Sequence, residues 1–150
     1  MAAAGELCMR CGLCCSGALF TYVALKEDEV GWAERRRLPV LARGEEKRVF
    51  DQPCPLLVER KCVDYEERPV ACRTFRCKLL RAFEIGEVEM AEALELIARV
   101  ERLLDKIGPG RHELNPKDVP LDRLLDIGEL EAIVTRHFRE VDRAATSTPP

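Results

Sequence analysis

The sequence lacks any apolar run that approaches the roughly 18–20 residues needed to cross a membrane. It also lacks an excess of basic residues, since its formal net charge is −3 at pH 7, and this argues against nucleic-acid binding as its main task. Its first residues, MAAAGELCMRCG, contain no basic segment followed by an apolar one, so they predict no signal peptide. We therefore expect a cytoplasmic protein that binds neither membranes nor nucleic acid.

The motifs of common enzyme families are also missing. The glycine spacing of Gly12–Gly17 matches a P-loop, but Ala18 and Leu19 stand where lysine and serine or threonine are required. No G-x-G-x-x-G is present, so a dinucleotide site has no support. A cysteine nucleophile needs a base, and only His112 and His137 are available. We expect both to be structural or surface histidines, so the sequence assigns no catalytic residue and leaves enzymatic activity open.

Cysteine is the residue that the sequence has in excess. All eight cysteines lie between Cys8 and Cys77, and the remainder of the chain has none. In a reducing compartment structural disulfides are rare, and such a cluster is more simply interpreted as metal ligands. The predicted ligands are Cys8, Cys11, Cys14, Cys15, Cys54, Cys62, Cys72 and Cys77. Eight thiolates suffice for two tetrahedral sites, or for one four-cysteine cluster plus a second site, and the predicted metal is zinc or iron, with a 4Fe-4S cluster as one form.

The first four cysteines have the spacing C-x2-C-x2-C-C. Two-residue spacings let sulfurs converge on one ion, and we expect Cys8, Cys11 and Cys14 to share one tight loop. Three cysteines in series also resemble the start of a bacterial ferredoxin run. Because successive side chains diverge, we expect Cys14 and Cys15 to serve different ions or different edges of one site.

The pattern of elements predicts an α+β fold in a single domain. Residues 1–82 form a cysteine-rich, metal-binding half with short strands, residues 83–143 form a helical half of two or three helices that packs on it, and residues 144–150 form a disordered tail. The elements expected in the first half are strands over Ala18–Leu25 and Leu56–Tyr65, the latter broken at Glu59–Lys61, a helix over Lys26–Arg37, a hairpin or loop over Val40–Phe50 around Gly44, and a short helix from Pro69 to Leu80. The second half predicts a helix over Glu87–Ile107 and two more, over Pro120–Ile127 and Glu129–Val141, separated by Gly128.

Basic residues accumulate beside the last cysteines. Five occur between Arg68 and Ala82, with no acidic residue among them. Guanidinium groups there would offset the negative charge of a thiolate site and keep its thiolates ionised, although an ordinary solvated helix face would look the same. A third interpretation is a protein-partner surface near Arg73, Arg76 and Lys78.

Several motifs occur in a fixed order. They are C-x2-C-x2-C-C-x-G ending at Gly17, V-A-L-x2-D ending at Asp28, P-C-P-L-L starting at Pro53, and K-C-x2-Y-x2-R-P-x2-C-R-x-F-x-C from Lys61 to Cys77. This set resembles the YkgJ-type cysteine-cluster proteins, which are also described as a zinc- or iron-chelating domain. The resemblance covers roughly residues 5–78, and all eight cysteines fall on its pattern. Arg76 departs from it, since members often have proline there.

The resemblance implies a small metal-binding domain. Some larger members, the flagellin lysine N-methylases, couple the cysteine cluster to methyl transfer. Three functions therefore stay open at this point: a metal-binding module without turnover of its own, an iron–sulfur redox protein, and a subunit of a protein-modifying, methylation-linked enzyme. The last rests on analogy with the family alone.

Overall fold

Short antiparallel strands and several helices make up the protein. The structure, a computed structural model, describes residues 2–108 and 114–139. The element order confirms the predicted α+β class, with the longest helices towards the C-terminus. The chain divides into two compact units, one formed mainly by Met1–Cys77 and the other by Lys78–Val141.

Some expectations about chain organisation stay predictions. The single-domain packing of residues 83–143 on residues 1–82 stays a prediction. The tail 144–150 and His112 lie outside the described residues. Across the part of the chain that is described, no helix is both long and apolar enough to span a bilayer.

The described part of the first unit is built from short elements. In chain order they are α1 (Ala2–Cys11), β1 (Tyr22–Leu25), a 3-10 turn (Glu27–Glu29), α2 (Val30–Arg35), β2 (Val40–Arg43), β3 (Lys47–Asp51), β4 (Leu57–Val58), β5 (Lys61–Cys62), a second 3-10 turn (Tyr65–Glu67) and α3 (Val70–Thr74). Strands β1, β3 and β2 form an antiparallel sheet in that order, and β4 pairs with β5 in a separate antiparallel ribbon.

One face of the three-stranded sheet forms the core of this unit. Val23 of β1 lies opposite Phe50 of β3, and Leu25 follows two residues later, so their side chains share a face. All three are buried, and they pack with Ala33 of α2 and with Leu38. The hydrophobic effect thus fixes the sheet and α2 relative to each other, and the cysteines are attached to this frame.

Three local predictions for the first unit are confirmed in substance. The hairpin around Gly44 joins β2 to β3. Within Leu56–Tyr65 the strands are short, β4 and β5 of two residues each, and Tyr65 already begins a 3-10 turn. The predicted break falls at Glu59 and Arg60, whose φ values of 50° and 66° suit the two central residues of a type I′ turn, whereas Lys61 belongs to β5. The helix predicted over Lys26–Arg37 is a 3-10 turn followed by α2, whereas the strand predicted from Ala18 begins only at Tyr22.

Two predictions for the first unit are wrong. Cys8 and Cys11 do not lie on a loop, because α1 continues through Cys11 and only Cys14 follows in a turn. Burial of Ala4 and Leu7 on one side of α1 explains why this stretch is helical. The helix expected from Pro69 to Leu80 is interrupted after Thr74, since Phe75 is extended, with ψ at 130°, and a separate helix starts at Lys78.

The second unit consists mainly of two long helices. Its described elements are α4 (Lys78–Glu84), α5 (Met90–Ile107), a 3-10 turn (Pro116–Asp118) and α6 (Leu121–His137). The helix predicted over Glu87–Ile107 is confirmed as α5, and its buried face consists of Ala93, Ile97, Val100, Leu103 and Ile107. Gly108, with φ at 79°, ends α5 as a left-handed glycine commonly does.

Gly128 does not separate two helices, contrary to the prediction. Helix α6 runs through it without a break. An isolated glycine inside a helix costs about 1 kcal/mol relative to alanine. Burial of Leu130, Val134 and Phe138 on the same helix and just after it offsets that cost, because each large apolar side chain contributes about 1.5–3 kcal/mol.

Candidate metal centre

The eight cysteines come together in two groups that meet at the dipeptide Cys14–Cys15. The thiol of Cys14 interacts electrostatically with the thiols of Cys77, Cys11 and Cys8 as well as with that of its neighbour. The thiol of Cys15 interacts with those of Cys54, Cys62 and Cys72. We call the first set the Cys14 group (Cys8, Cys11, Cys14 and Cys77) and the second the Cys15 group (Cys15, Cys54, Cys62 and Cys72).

The Cys14 group is built on the end of α1. Cys8 and Cys11 are three residues apart on this helix, which places them on one face. Gly12, with φ at 65°, ends the helix and turns the chain towards Cys14. The carbonyl oxygen of Cys14 accepts a hydrogen bond of 2.9 Å from the side-chain amide of Gln52. This bond fixes the peptide that links the two groups.

Gly12 also marks a close approach between two segments. A Cβ atom at this position would lie 2.5 Å from the carbonyl oxygen of Arg60, in the turn between β4 and β5. No side chain fits there without a shift of backbone. The glycine therefore allows the end of α1, with Cys8 and Cys11, to lie against the ribbon that carries Cys62.

The Cys15 group is attached to the core of the first unit. The backbone N–H of Cys54 donates to the carbonyl oxygen of Cys15 at 2.8 Å, and the N–H of Leu57 donates to that of Cys54 at 3.0 Å. Leu57 pairs with Cys62 across the β4–β5 ribbon. Cys54 belongs to the buried core cluster, and Cys15 and Cys72 pack against it. Four distant parts of the sequence thus reach one region.

Burial dominates the ionisation of these thiols. It raises the pKa of Cys14 and Cys15 well above that of an exposed thiol, and neighbouring thiols raise both further. Burial also raises the pKa of Cys72 to about 12 and raises that of Cys54. The Arg68 guanidinium opposes this, since its positive charge lowers the pKa of Cys15 and Cys72. At neutral pH these four are neutral thiols, whereas a coordinated metal ion would deprotonate them outright.

The segment between Cys62 and Cys72 is fastened to α2 by polar side chains. The indole N–H of Trp32 donates to Asp64 at 3.2 Å, and the guanidinium of Arg36 contacts both Asp64 and Glu67, the latter at 2.5 Å. Arg36 also stacks on the Trp32 ring, with 4.7 Å between its central carbon and the ring centroid. These bonds connect the segment around Cys62 and Cys72 to Trp32 and Arg36 through groups other than sulfur.

Arg68 and Tyr65 support the same segment from within. The Arg68 guanidinium lies 3.6 Å from the centroid of the Tyr65 ring and donates to the carbonyl oxygen of Tyr65 at 2.7 Å. A longer bond of 3.5 Å reaches the carbonyl oxygen of Cys72. The Tyr65 hydroxyl donates to the carbonyl oxygen of Gly5 in α1, also at 3.5 Å. Arg68 is thus a fixed positive charge next to the Cys15 group.

The donor set fits a metal that prefers soft ligands. Each group supplies four sulfur donors, which suits zinc and iron, and no disulfide joins any of these described cysteines. Within residues 2–108 and 114–139, however, no three His, Cys, Asp or Glu side chains already have an arrangement that could hold a metal ion. Coordination therefore requires the thiols of a group to turn towards a common point.

The other predicted site residues lie at the surface. Arg73, Arg76 and Lys78 are exposed, and their role in binding a protein partner stays a prediction. His137, at the end of α6, is half-buried, and its pKa is lowered by burial and by nearby positive charges, Arg136 among them. It belongs to the second unit and is not one of the cysteine neighbours described above.

Sequence reasoning did not identify the polar residues that hold the site together. Glu29 accepts from the backbone N–H of Val70 at 2.7 Å and so fixes the start of α3, next to Cys72. Arg36 and Asp64 are 28 residues apart, so no local pattern pairs them. The only available signal was the short distance of Asp64 from Cys62 in the sequence, which by itself is no evidence of an ion pair.

Comparison with known protein families gives one match. The model of the CxxCxxCC family, whose description is "Putative zinc- or iron-chelating domain", matches residues 7–95. Comparisons with curated proteins and with solved structures each found no match. The matched residues make up more than half of the chain and include every cysteine of both groups. The chain therefore belongs to the CxxCxxCC family of metal-chelating domains.

Proposed function

We propose that the protein binds zinc or iron through the thiolates of its eight cysteines and that it does so without turnover of its own. The observation that carries the proposal is that Cys14 and Cys15, adjacent in sequence, each lie among the thiols of three further cysteines. Packing of small apolar side chains does not require eight sulfur atoms to lie in two sets of four, whereas ligation of a metal that prefers soft donors does. A metal ion would neutralise the thiolates and satisfy them together.

Simple burial of small apolar side chains is the alternative explanation. Single free cysteines often pack as small hydrophobes. Here, however, Cys54 alone of the eight is buried, while the other seven are half-buried and still gather in two sets. Arg68 is also held beside Cys15 and Cys72. Its positive charge stabilises the thiolate form of these side chains and has little effect on a neutral thiol. Both features favour ligation over packing.

A second candidate, an iron–sulfur redox protein, is favoured by one observation. The Cys14 group combines a C-x2-C-x2-C run with a fourth cysteine from far along the chain, as in clusters of the bacterial ferredoxin type. Zinc is favoured by the closed, all-thiolate character of both groups, which is typical of structural zinc sites. The methylation-linked role rests on family resemblance alone. In each case the thiols must stay reduced, so we place the protein in a reducing compartment such as the cytoplasm.

The experiment that tests the proposal measures metal and acid-labile sulfide on protein purified without oxygen, with a visible spectrum alongside. Zinc in a colourless protein supports a structural zinc site. Iron with matching sulfide and a broad absorption band at about 400 nm supports an iron–sulfur cluster. Protein that contains neither metal, and takes up neither zinc nor iron on reconstitution, would overturn the proposal.

A matched pair of variants on α1 identifies sulfur as the ligand. Cys11→Ser removes one thiol of the Cys14 group, and we expect metal content and thermal stability to fall together. Met9→Ser changes a side chain on the same helix that is 43% exposed, so it serves as the control and should leave metal content unchanged. Equal metal content in both variants would contradict ligation by Cys11.

A further inference from the structure

We propose that the eight thiolates form two separate four-cysteine metal sites, the Cys14 group as one and the Cys15 group as the other, and that the Cys14 site gives up its metal first. The inference rests on the proposed function, because it divides among ligand sets the metal proposed there. It assigns each cysteine to one of two ions and states which of the two ions leaves first.

The backbone around Cys14–Cys15 supports two sites. The carbonyl oxygen of Cys14 is held by the Gln52 side chain, and that of Cys15 by the backbone N–H of Cys54. Neither peptide can rotate without losing a hydrogen bond. Since adjacent side chains diverge, the two thiols are kept among different neighbours and serve different ions.

The Cys15 group is complete without a contribution from α1. Cys15, Cys54 and Cys72 pack at one core cluster. Cys62 is fixed because it pairs, across the β4–β5 ribbon, with Leu57, which follows Cys54 by three residues. Arg68 supplies positive charge next to these thiols, which offsets the net negative charge of four thiolates around a divalent ion. Ligands held in this way bind with little ordering cost.

The Cys14 group has a weaker frame. Cys8 and Cys11 depend on a ten-residue helix, and helices of this length are marginal in water unless their apolar face is packed. Buried Leu7 and the 3.5 Å hydrogen bond from Tyr65 to Gly5 anchor it. We therefore infer that metal leaves this site at a lower chelator concentration.

Differential alkylation of the full chain tests both parts of the proposal. Protein isolated without oxygen is treated with increasing concentrations of a chelator, labelled with iodoacetamide, and each cysteine is read out by peptide mass spectrometry. We expect labelling in two steps. The first step labels Cys8, Cys11, Cys14 and Cys77, and the second labels Cys15, Cys54, Cys62 and Cys72.

Two double variants that remove the same number of thiols sharpen the test. C8S/C11S removes two of the four thiols of the Cys14 group. We expect half of the metal to remain, with Cys14 and Cys77 labelled and the Cys15 group protected. C11S/C62S takes one thiol from each group and should lose nearly all of the metal. If C11S/C62S fails to fold, the stepwise labelling of the natural chain still decides the matter.

The possible failures are distinguishable. Metal that leaves all eight cysteines in one step, or labelling in which members of the two groups are mixed, would overturn the division while the proposed function stands. Labelling of the Cys15 group first would overturn the order of exchange. A natural chain in which all eight cysteines react without chelator, and which contains no metal, would overturn the proposed function itself.

Discussion

The two units of the protein are stabilised by different means. In the second, α5 and α6 are 18 and 17 residues long and are held by apolar faces with residues such as Val100 and Leu130 fully buried. In the first, no described element exceeds ten residues, and distant segments are joined by side chains such as Arg36, Asp64 and Glu29. Regular secondary structure satisfies its own backbone, whereas irregular segments need specific partners. We therefore expect the first unit alone to depend on metal.

Metal removal should have the largest effect on structure, and it should affect the first unit but not the second. Trp32 is the only tryptophan of the chain and lies in the first unit, where its indole donates to Asp64, so its fluorescence reports on that unit. We expect chelation without oxygen to shift its emission to longer wavelength, because loss of the metal exposes the segment around Asp64. The far-UV circular dichroism should retain the signal of α5 and α6. An unchanged Trp32 emission in metal-free protein would contradict this dependence.

Leu130→Ala should have the next largest effect, now on the second unit. Leu130 is fully buried on α6, and truncation of a buried leucine costs about 2–5 kcal/mol. The measurement is the urea midpoint of the helical circular dichroism signal. The exposed Leu125 on the same helix is the control, because Leu125→Ala should change the free energy of unfolding by less than about 0.5 kcal/mol. Metal content should be the same in both variants, and a loss in Leu130→Ala would show that the comparison of units is too simple.

Gly12→Ala tests the approach of α1 to the β4–β5 ribbon. The added methyl group would lie 2.5 Å from the carbonyl oxygen of Arg60, and φ of 65° is unfavourable for alanine. We expect a loss of about 2 kcal/mol together with reduced metal content. Gly44→Ala is the matched control, since Gly44 has φ of 75° but nothing within 4 Å, so it should show the backbone effect of about 1 kcal/mol alone. Equal losses in the two variants would mean that the contact with Arg60 is unimportant.

Arg36→Gln should have the smallest effect of the series. It breaks the contacts with Asp64 and Glu67 in a region where the Arg36 side chain is only 22% exposed, and we expect a loss of about 1 kcal/mol in the metal-bound protein. Arg43→Gln removes a pair with Asp51 that is about half exposed on both sides, so its effect should be close to zero. Thermal unfolding followed at Trp32 measures both. A larger loss in Arg43→Gln would reverse the order expected from burial.

Local patterns in the sequence predicted the parts of the fold that local forces determine. The helix over Glu87–Ile107 and the turn at Gly44 are each determined by a short stretch of sequence, and both predictions are confirmed. Helix α1 was missed because its stability comes from burial of Ala4 and Leu7 against other segments. Gly128 was misjudged for the same reason, since tertiary packing on α6 overrides the propensity of one glycine.

The candidate ligands can be named from the sequence, whereas their grouping in space cannot, and their ligation of a metal stays a prediction. Eight clustered cysteines indicate metal binding by their number alone, and the family match agrees with that. The division of the cysteines into two groups could not be derived from their spacing. Cys77 lies near Cys14, although Cys54, Cys62 and Cys72, which precede it, lie near Cys15. Such pairings depend on how the chain returns on itself, and so does the contact of Arg36 with Asp64.

The order of the cysteines along the chain has a consequence for how such a module can change over evolution. The Cys14 group opens and closes the series, since Cys8, Cys11 and Cys14 come first and Cys77 comes last, with the Cys15 group between them. Any break of the chain between Cys8 and Cys77 therefore divides the Cys14 group. A segment that carries the whole Cys14 group always carries the Cys15 group as well, so the first group can be inherited only together with the second.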